Sequence, residues 1–167
     1  MEPPADGCKD LRMERRATTA DVDACLRIVR GLQDFFTDDV PDRIRHDLTH
    51  HEAWVTTEGG AVMGLAIVDR RSADAAEILW LAVTPARRNA GLGTRLLTHV
   101  VEHLRQAGVC LVAAKTLDRS VDYSPYVATR AFWERRGFVQ IDTIDQLPGW
   151  QPGNPCAFYV AALAPTL

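Results

Sequence analysis

The chain has 167 residues, enough for one domain with a sizeable core and too few for two. Its net charge of −3 excludes the basic excess of a general nucleic-acid binder. No apolar run is long enough to span a bilayer, and the opening "MEPPADGCKDLRMERR" lacks the apolar core of a signal peptide. The expectation is a cytoplasmic protein with neither a nucleic-acid nor a membrane partner. Four cysteines, Cys8, Cys25, Cys110 and Cys156, form no CxxC pair, so neither a zinc site nor a disulfide framework is indicated.

Residues 1–12 lack periodicity and read as a disordered extension, with Cys8 in a mobile tail, ahead of a domain over 13–167. A short strand, "MERRATT", opens the domain. Thr19 or Asp21 can cap a helix that places Val22, Cys25, Leu26 and Val29 on one face. A second helix starts at Pro41, a favoured first-turn position, and runs to about Leu48. "EAWVTTEGGAVMGLAIVDR" reads as two strands joined at Glu58–Gly60. "AAEILWLAV" is apolar almost throughout and reads as a central strand. A helix follows with Leu92, Leu96, Leu97, Val100 and Leu104 on one face, ended by Gly108. "VCLVAAKTL" reads as a buried strand, with Cys110 as a small buried hydrophobe. "SPYVATRAFWERRGF" is a short helix with Val127, Ala131 and Phe132 inward. "VQIDTI" and "CAFYVAAL" close the order as a strand pair, which makes an α/β fold with one central, mixed and mostly antiparallel sheet flanked by helices.

Between the central strand and its helix stands "TPARRNAGLG". Unpaired N–H groups and partial positive charge at a helix start, glycines at Gly91 and Gly93, and the cation Arg88 together suit a phosphate or pyrophosphate. A Walker loop fails because no lysine follows Gly93. A dinucleotide fingerprint fails because Leu96 stands at the third glycine. A bland alternative stays open, in which the glycines only shape a tight turn.

"RRNAGLG" resembles the acyl-CoA-binding loop of the GNAT N-acetyltransferase superfamily, Arg/Gln-x-x-Gly-x-Gly/Ala, carried by Arg88, Gly91 and Gly93. "EILWLAVTP" looks like that family's central strand, and "TRAFWERRGF" like its later helix. The resemblance covers about residues 13–163. It implies acetyl-CoA as cofactor, with CoA as product. The pyrophosphate would sit on the amides of Asn89, Ala90, Gly91, Leu92, Gly93 and Thr94 beside Arg88. The pantetheine would pair with the backbone of Leu81, Ala82 and Val83, where the family splays its sheet. The implied reaction is direct acetyl transfer to a primary amine of a small molecule or a protein. Similar proteins are commonly dimers, so a homodimer is expected.

An amine with a pKa of about 10.4 is neutral in only about one molecule per thousand at pH 7, so a general base is useful. Glu77, the one acid in its strand, is the candidate, since glutamates at this place act as base in similar proteins. The alternative is a carboxylate solvated at the sheet edge. The N–H near Val83 is the natural donor to the developing oxyanion. The usual tyrosine of the later helix is Trp133 here, whose indole cannot serve as acid. Tyr126, or Tyr123, is the substitute, unless the CoA thiolate, a fair leaving group, departs unaided in a slower or acid-independent enzyme. His46 and His50 are four apart, but no HExxH glutamate or third ligand accompanies them, so no metal is expected. Asp34, Asp38, Asp39 and Asp42 surround the first helix–helix link, which lines the acceptor side in the family. An acidic rim there favours a cationic amine, with a solvated charge run as the plainer reading. Two rivals remain: an acyl-CoA-sensing module without turnover, and an enzyme using another acyl group or an oxygen acceptor.

Overall fold

A computed structural model describes residues 11–164. In chain order the elements are β1 (Arg12–Arg16), α1 (Val22–Arg30), α2 (Val40–His50), β2 (Glu52–Glu58), β3 (Ala61–Arg70), β4 (Ala75–Val83), α3 (Leu92–Gln106), β5 (Leu111–Leu117), α4 (Pro125–Glu134), β6 (Val139–Ile144) and β7 (Cys156–Ala162). The strands form one seven-stranded sheet in the order β1-β2-β3-β4-β5-β7-β6. β1 runs antiparallel to β2, β4 parallel to β5, and β7 antiparallel to both β5 and β6. The expected order of elements and the mixed sheet are both observed. Most of the proposed extension lies outside the described residues, as does Cys8. Within them, the first strand begins at Arg12.

The chain divides into two compact units whose boundaries fall inside β3, β4 and α3. The first holds the chain to Ile67 together with Trp80–Val100. Its core includes Leu26, Ile44, Trp54, Leu65, Leu92 and Leu96. Between β2 and β3, Gly59 and Gly60 sit at φ 57 and 82, the pair of left-handed residues that a two-residue hairpin turn requires. Asp21 stands at the start of α1, but its carboxylate reaches backward. It accepts from the Thr18 N–H at 2.8 Å and from both terminal nitrogens of Arg15 at 2.7 and 2.9 Å.

The second unit comprises Val68–Leu79 and the chain from Val101. Its core includes Leu104, Val112, Ala114, Trp133, Phe138 and Tyr159. Two expectations are corrected here. Val127 is 59% exposed, and α4 instead buries Arg130 and Trp133. Arg130 is tolerated because its Nη1 donates to the Leu117 carbonyl at 3.1 Å, so its charge is solvated by backbone rather than water. Cys110 is exposed, because β5 begins one residue later and the thiol faces the Asp74 carbonyl at 3.4 Å.

Two buried carboxylates bind the units internally. Hydrogen bonds from Arg15, against the cost of burial, bring Asp21 down to about 2. Burial pushes Asp118 up, but donors from Ser120, Gln140 and Thr143 outweigh it and bring the acid to about 2. A carboxylate depressed in the fold stabilises it fully above the unfolded value of about 3.9. That stability is lost as pH falls through the folded value. Urea midpoints are therefore expected to hold above pH 4 and to fall between about pH 4 and 2. Asp118→Asn should flatten that fall.

Candidate active site

The loop after β4 is built by local hydrogen bonds. The Thr84 N–H donates to the Met63 carbonyl at 2.8 Å and ties the end of β4 to β3. One 3-10 turn over Pro85–Arg87 follows. Asn89 and Gly91 then take left-handed conformations, φ 61 and 79, and α3 begins at Leu92. Among the described residues, the N–H groups of Asn89, Gly91, Leu92 and Gly93 donate to no protein acceptor. That of Ala90 is already turned to the Arg87 carbonyl at 3.4 Å. A set of undonated amides at the start of a 15-residue helix is an anion cradle. Leu92 contributes only its backbone, since its side chain is buried. The exposed Arg88 lays its guanidinium 4.2 Å over the Phe35 ring, which holds the cation beside the loop. Its neighbour Arg87 is consumed by an ion pair with Glu58. These residues fit the diphosphate of an acyl-CoA.

Leu81, Ala82 and Val83 form the last turn of pleat before this loop. The β4–β5 register runs from Ala75↔Leu111 to Ile78↔Ala114, and no β5 partner follows Ile78 among the described residues.

Glu77 is neither solvated nor alone. It is 5% exposed, and its carboxylate meets Arg71 Nη2 at 2.8 Å, Arg71 Nε at 3.1 Å and Lys115 Nζ at 2.9 Å. Asp69 holds Arg71 from the far side at 2.8 Å. Glu77 thus closes two ion pairs at once. On α4, Trp133 is packed edge-on against Phe132 and Phe138, with centroids 5.2 and 4.9 Å apart. Burial pushes the Tyr126 hydroxyl up to about 12, with Tyr123 adding to the shift. The rings of His46 and His50 stack at 3.9 Å, and His50 Nδ1 lies 2.8 Å from the His46 carbonyl oxygen.

Residues 22–138 match the Acetyltransferase (GNAT) family. The chain belongs to this family. No curated protein sequence matches it. Among solved structures, a GNAT-family protein from Desulfovibrio desulfuricans superposes with a TM-score of 0.79 at 24% identity, over 92% of this chain and 100% of that one. The ribosomal-protein-S18-alanine N-acetyltransferase of Escherichia coli gives 0.76 at 18% identity, over 93% and 96%. A GNAT acetyltransferase from Elizabethkingia anophelis, solved with acetyl-CoA bound, gives 0.68 at 17%, over 91% and 98%. The GNAT fold is thus established.

Within this GNAT domain, one position matters that sequence reading passed over. Gly64 lies in β3, where an added Cβ would stand 2.9 Å from the Ala82 carbonyl oxygen and 3.2 Å from Val83 Cγ2. A lone glycine inside an apolar strand is the available signal of such close approach. Gly64→Ala is expected to cost about 1–3 kcal/mol by overpacking. It should also weaken acetyl-CoA binding by displacing Ala82 and Val83, as read by thermal melts and calorimetry. A cavity of about 530 Å³ lined in part by Asp21, Arg27, Gly60 and Pro85 abuts the same loop. It holds none of the expected site residues, and its acid is spent on Arg15.

Proposed function

We propose that the protein is an acetyl-CoA-dependent N-acetyltransferase acting on a primary amine of a small molecule or a protein. The observation that carries this reading is the cradle of four undonated N–H groups before and within the first turn of α3, flanked by Arg88. Bound acetyl-CoA supplies a thioester whose carbonyl carbon accepts the amine nitrogen as the C–S bond breaks. The amides of Asn89, Gly91, Leu92 and Gly93, with Thr94 on the same turn, bind the diphosphate. The backbone of Leu81–Val83 orients the pantetheine arm, and the Val83 N–H donates to the oxygen on which charge develops. The amine proton passes to Glu77 or to solvent, and the departing thiolate takes a proton from a donor or from water.

Calorimetric titration tests the reading. Acetyl-CoA and CoA should bind while ATP does not, and thiol release should follow when amines are added. A folded protein that binds neither thioester nor CoA would overturn it, and one that binds both but acetylates no amine would favour the sensing module.

Tyr126 is proposed as the group that faces the thiolate. At about 12 its hydroxyl is a weaker acid than a thiol near 8.5, so it donates a hydrogen bond rather than a full proton. Tyr126→Phe is therefore expected to lower kcat by about 10- to 150-fold, the scale of one charge-assisted hydrogen bond, with an unchanged alkaline limb of the pH profile. A loss of several hundredfold would instead make it an obligatory acid.

A further inference from the structure

Trp80 stands on β4 one residue before the Leu81–Val83 strip. At about 3.3 Å per residue its Cα lies about 10 Å from that of Val83, on the side away from the diphosphate loop. Its indole Nε1 donates to Asp47 Oδ2 at 2.6 Å. The Phe36 ring meets it edge-on, with centroids 5.8 Å apart at 74°. The guanidinium of Arg43 lies over its face, 5.3 Å from the centroid. The ring is therefore fixed in place by Asp47 and Phe36 and has a cation on its face.

That cation is loosely held. The Arg43 side chain is 47% exposed, and its ion-pair partner Asp39 is 3.8 Å away and 58% exposed. A long-range pair of this kind contributes little. The segment around the ring, residues 34–51, carries Asp34, Asp38, Asp39, Asp42 and Asp47 against Arg43 and Arg45. Its field attracts positive charge even with Arg43 in place.

We infer that Trp80, with Phe36 and Asp47, seats the charged end of the acceptor, and that the acceptor is a small amine bearing a second positive charge, of the diamine or guanidino-amine class. The incoming cation replaces Arg43 on the indole face, while the other, neutral amine reaches the thioester. This inference rests on the acetyltransferase reading. Arg43 acts as an internal competitor, so removing a positive charge here should improve the binding of a cation.

The test is calorimetry of the full chain with agmatine, 1,4-diaminobutane, n-butylamine and glutamate, each with and without CoA, alongside thiol-release assays. Agmatine or diaminobutane is expected to bind at least about tenfold more tightly than butylamine. Arg43→Ala should tighten that binding about 2- to 5-fold, the scale of one exposed cation–π contact. Trp80→Leu should erase the preference, and Trp80→Phe, the safer substitution for folding, should retain part of it. Equal binding of butylamine, preference for glutamate, or weaker diamine binding in Arg43→Ala would each overturn the inference. None of these would touch the acetyltransferase reading so long as CoA binds. Failure to bind CoA would remove that reading itself.

Discussion

Replacing Gly91 by valine is expected to raise the dissociation constant for acetyl-CoA by about 10- to 100-fold. Gly91 sits at φ 79, and nothing lies within 4 Å of where its Cβ would be. The penalty is thus conformational rather than steric. A β-branched residue in the left-handed region costs about 1–3 kcal/mol, and the loop can relieve it by rotating Gly91 back to negative φ. That rotation would turn the N–H groups of Gly91 and Leu92 away from those of Asn89 and Gly93. Each tenfold of affinity is about 1.4 kcal/mol, so the strain itself sets the range. Asparagine tolerates the same conformation, as Asn89 does at φ 61. Gly91→Asn should therefore bind within about threefold of the parent if conformation is what matters. If both variants lose affinity equally, the ligand needs the bare backbone at close range. If neither does, the diphosphate is not held here.

What was legible in the sequence was what is local. The loop and α3 depend on residues within one turn of each other, so Arg88, Gly91, Gly93 and the Leu92–Leu104 stripe could be read directly. The hairpin at Gly59–Gly60 is local in the same sense. What depends on register was hidden. Glu77 stands alone in its strand, but parallel pairing of Glu77 with Ala113 brings Lys115, two residues on and so on the same face, to its carboxylate. The β3–β4 turn brings Arg71. Neither follows from composition. On α4, apolar periodicity favours Val127 as a core residue, and the structure buries Arg130 instead, its Nη1 donating to the Leu117 carbonyl on β5, which the helix pattern alone does not reveal. Gly64 carried a signal, an isolated glycine in an apolar run, but its partner Ala82 belongs to a different strand. The Trp80 platform needs α2 and β4 together, and no spacing rule links Asp47 to a residue 33 positions away.

Glu77→Gln separates catalysis from architecture, because the two roles predict different observables. The ion-pair role predicts a loss of stability. Arg71 and Lys115 would face a neutral amide, and removing one partner of a fully buried pair costs about 3–5 kcal/mol. Here Arg71 is 53% exposed and Lys115 22%, so both can regain water and the cost should be nearer about 2–3 kcal/mol. For a chain of this size that is a fall of about 4–12 °C in Tm. The base role predicts a fall in kcat of about 10²- to 10⁴-fold, together with loss of the acidic limb of the pH profile and partial recovery at high pH, where more amine is already neutral. We expect the Tm fall in full and a kcat loss below about tenfold at 10 °C, well short of a lost general base. The reason lies in the geometry: the carboxylate is already engaged by Arg71 at 2.8 and 3.1 Å and by Lys115 at 2.9 Å. Lys115→Met provides the control. It removes one cation and leaves Glu77 tied to Arg71 alone, so it should also lower Tm, yet it should raise turnover if Glu77 accepts the amine proton. Unchanged or reduced turnover in that variant, with a normal pH profile in Glu77→Gln, would place deprotonation in solvent and leave Glu77 as the ion-paired anchor of β4 to β5.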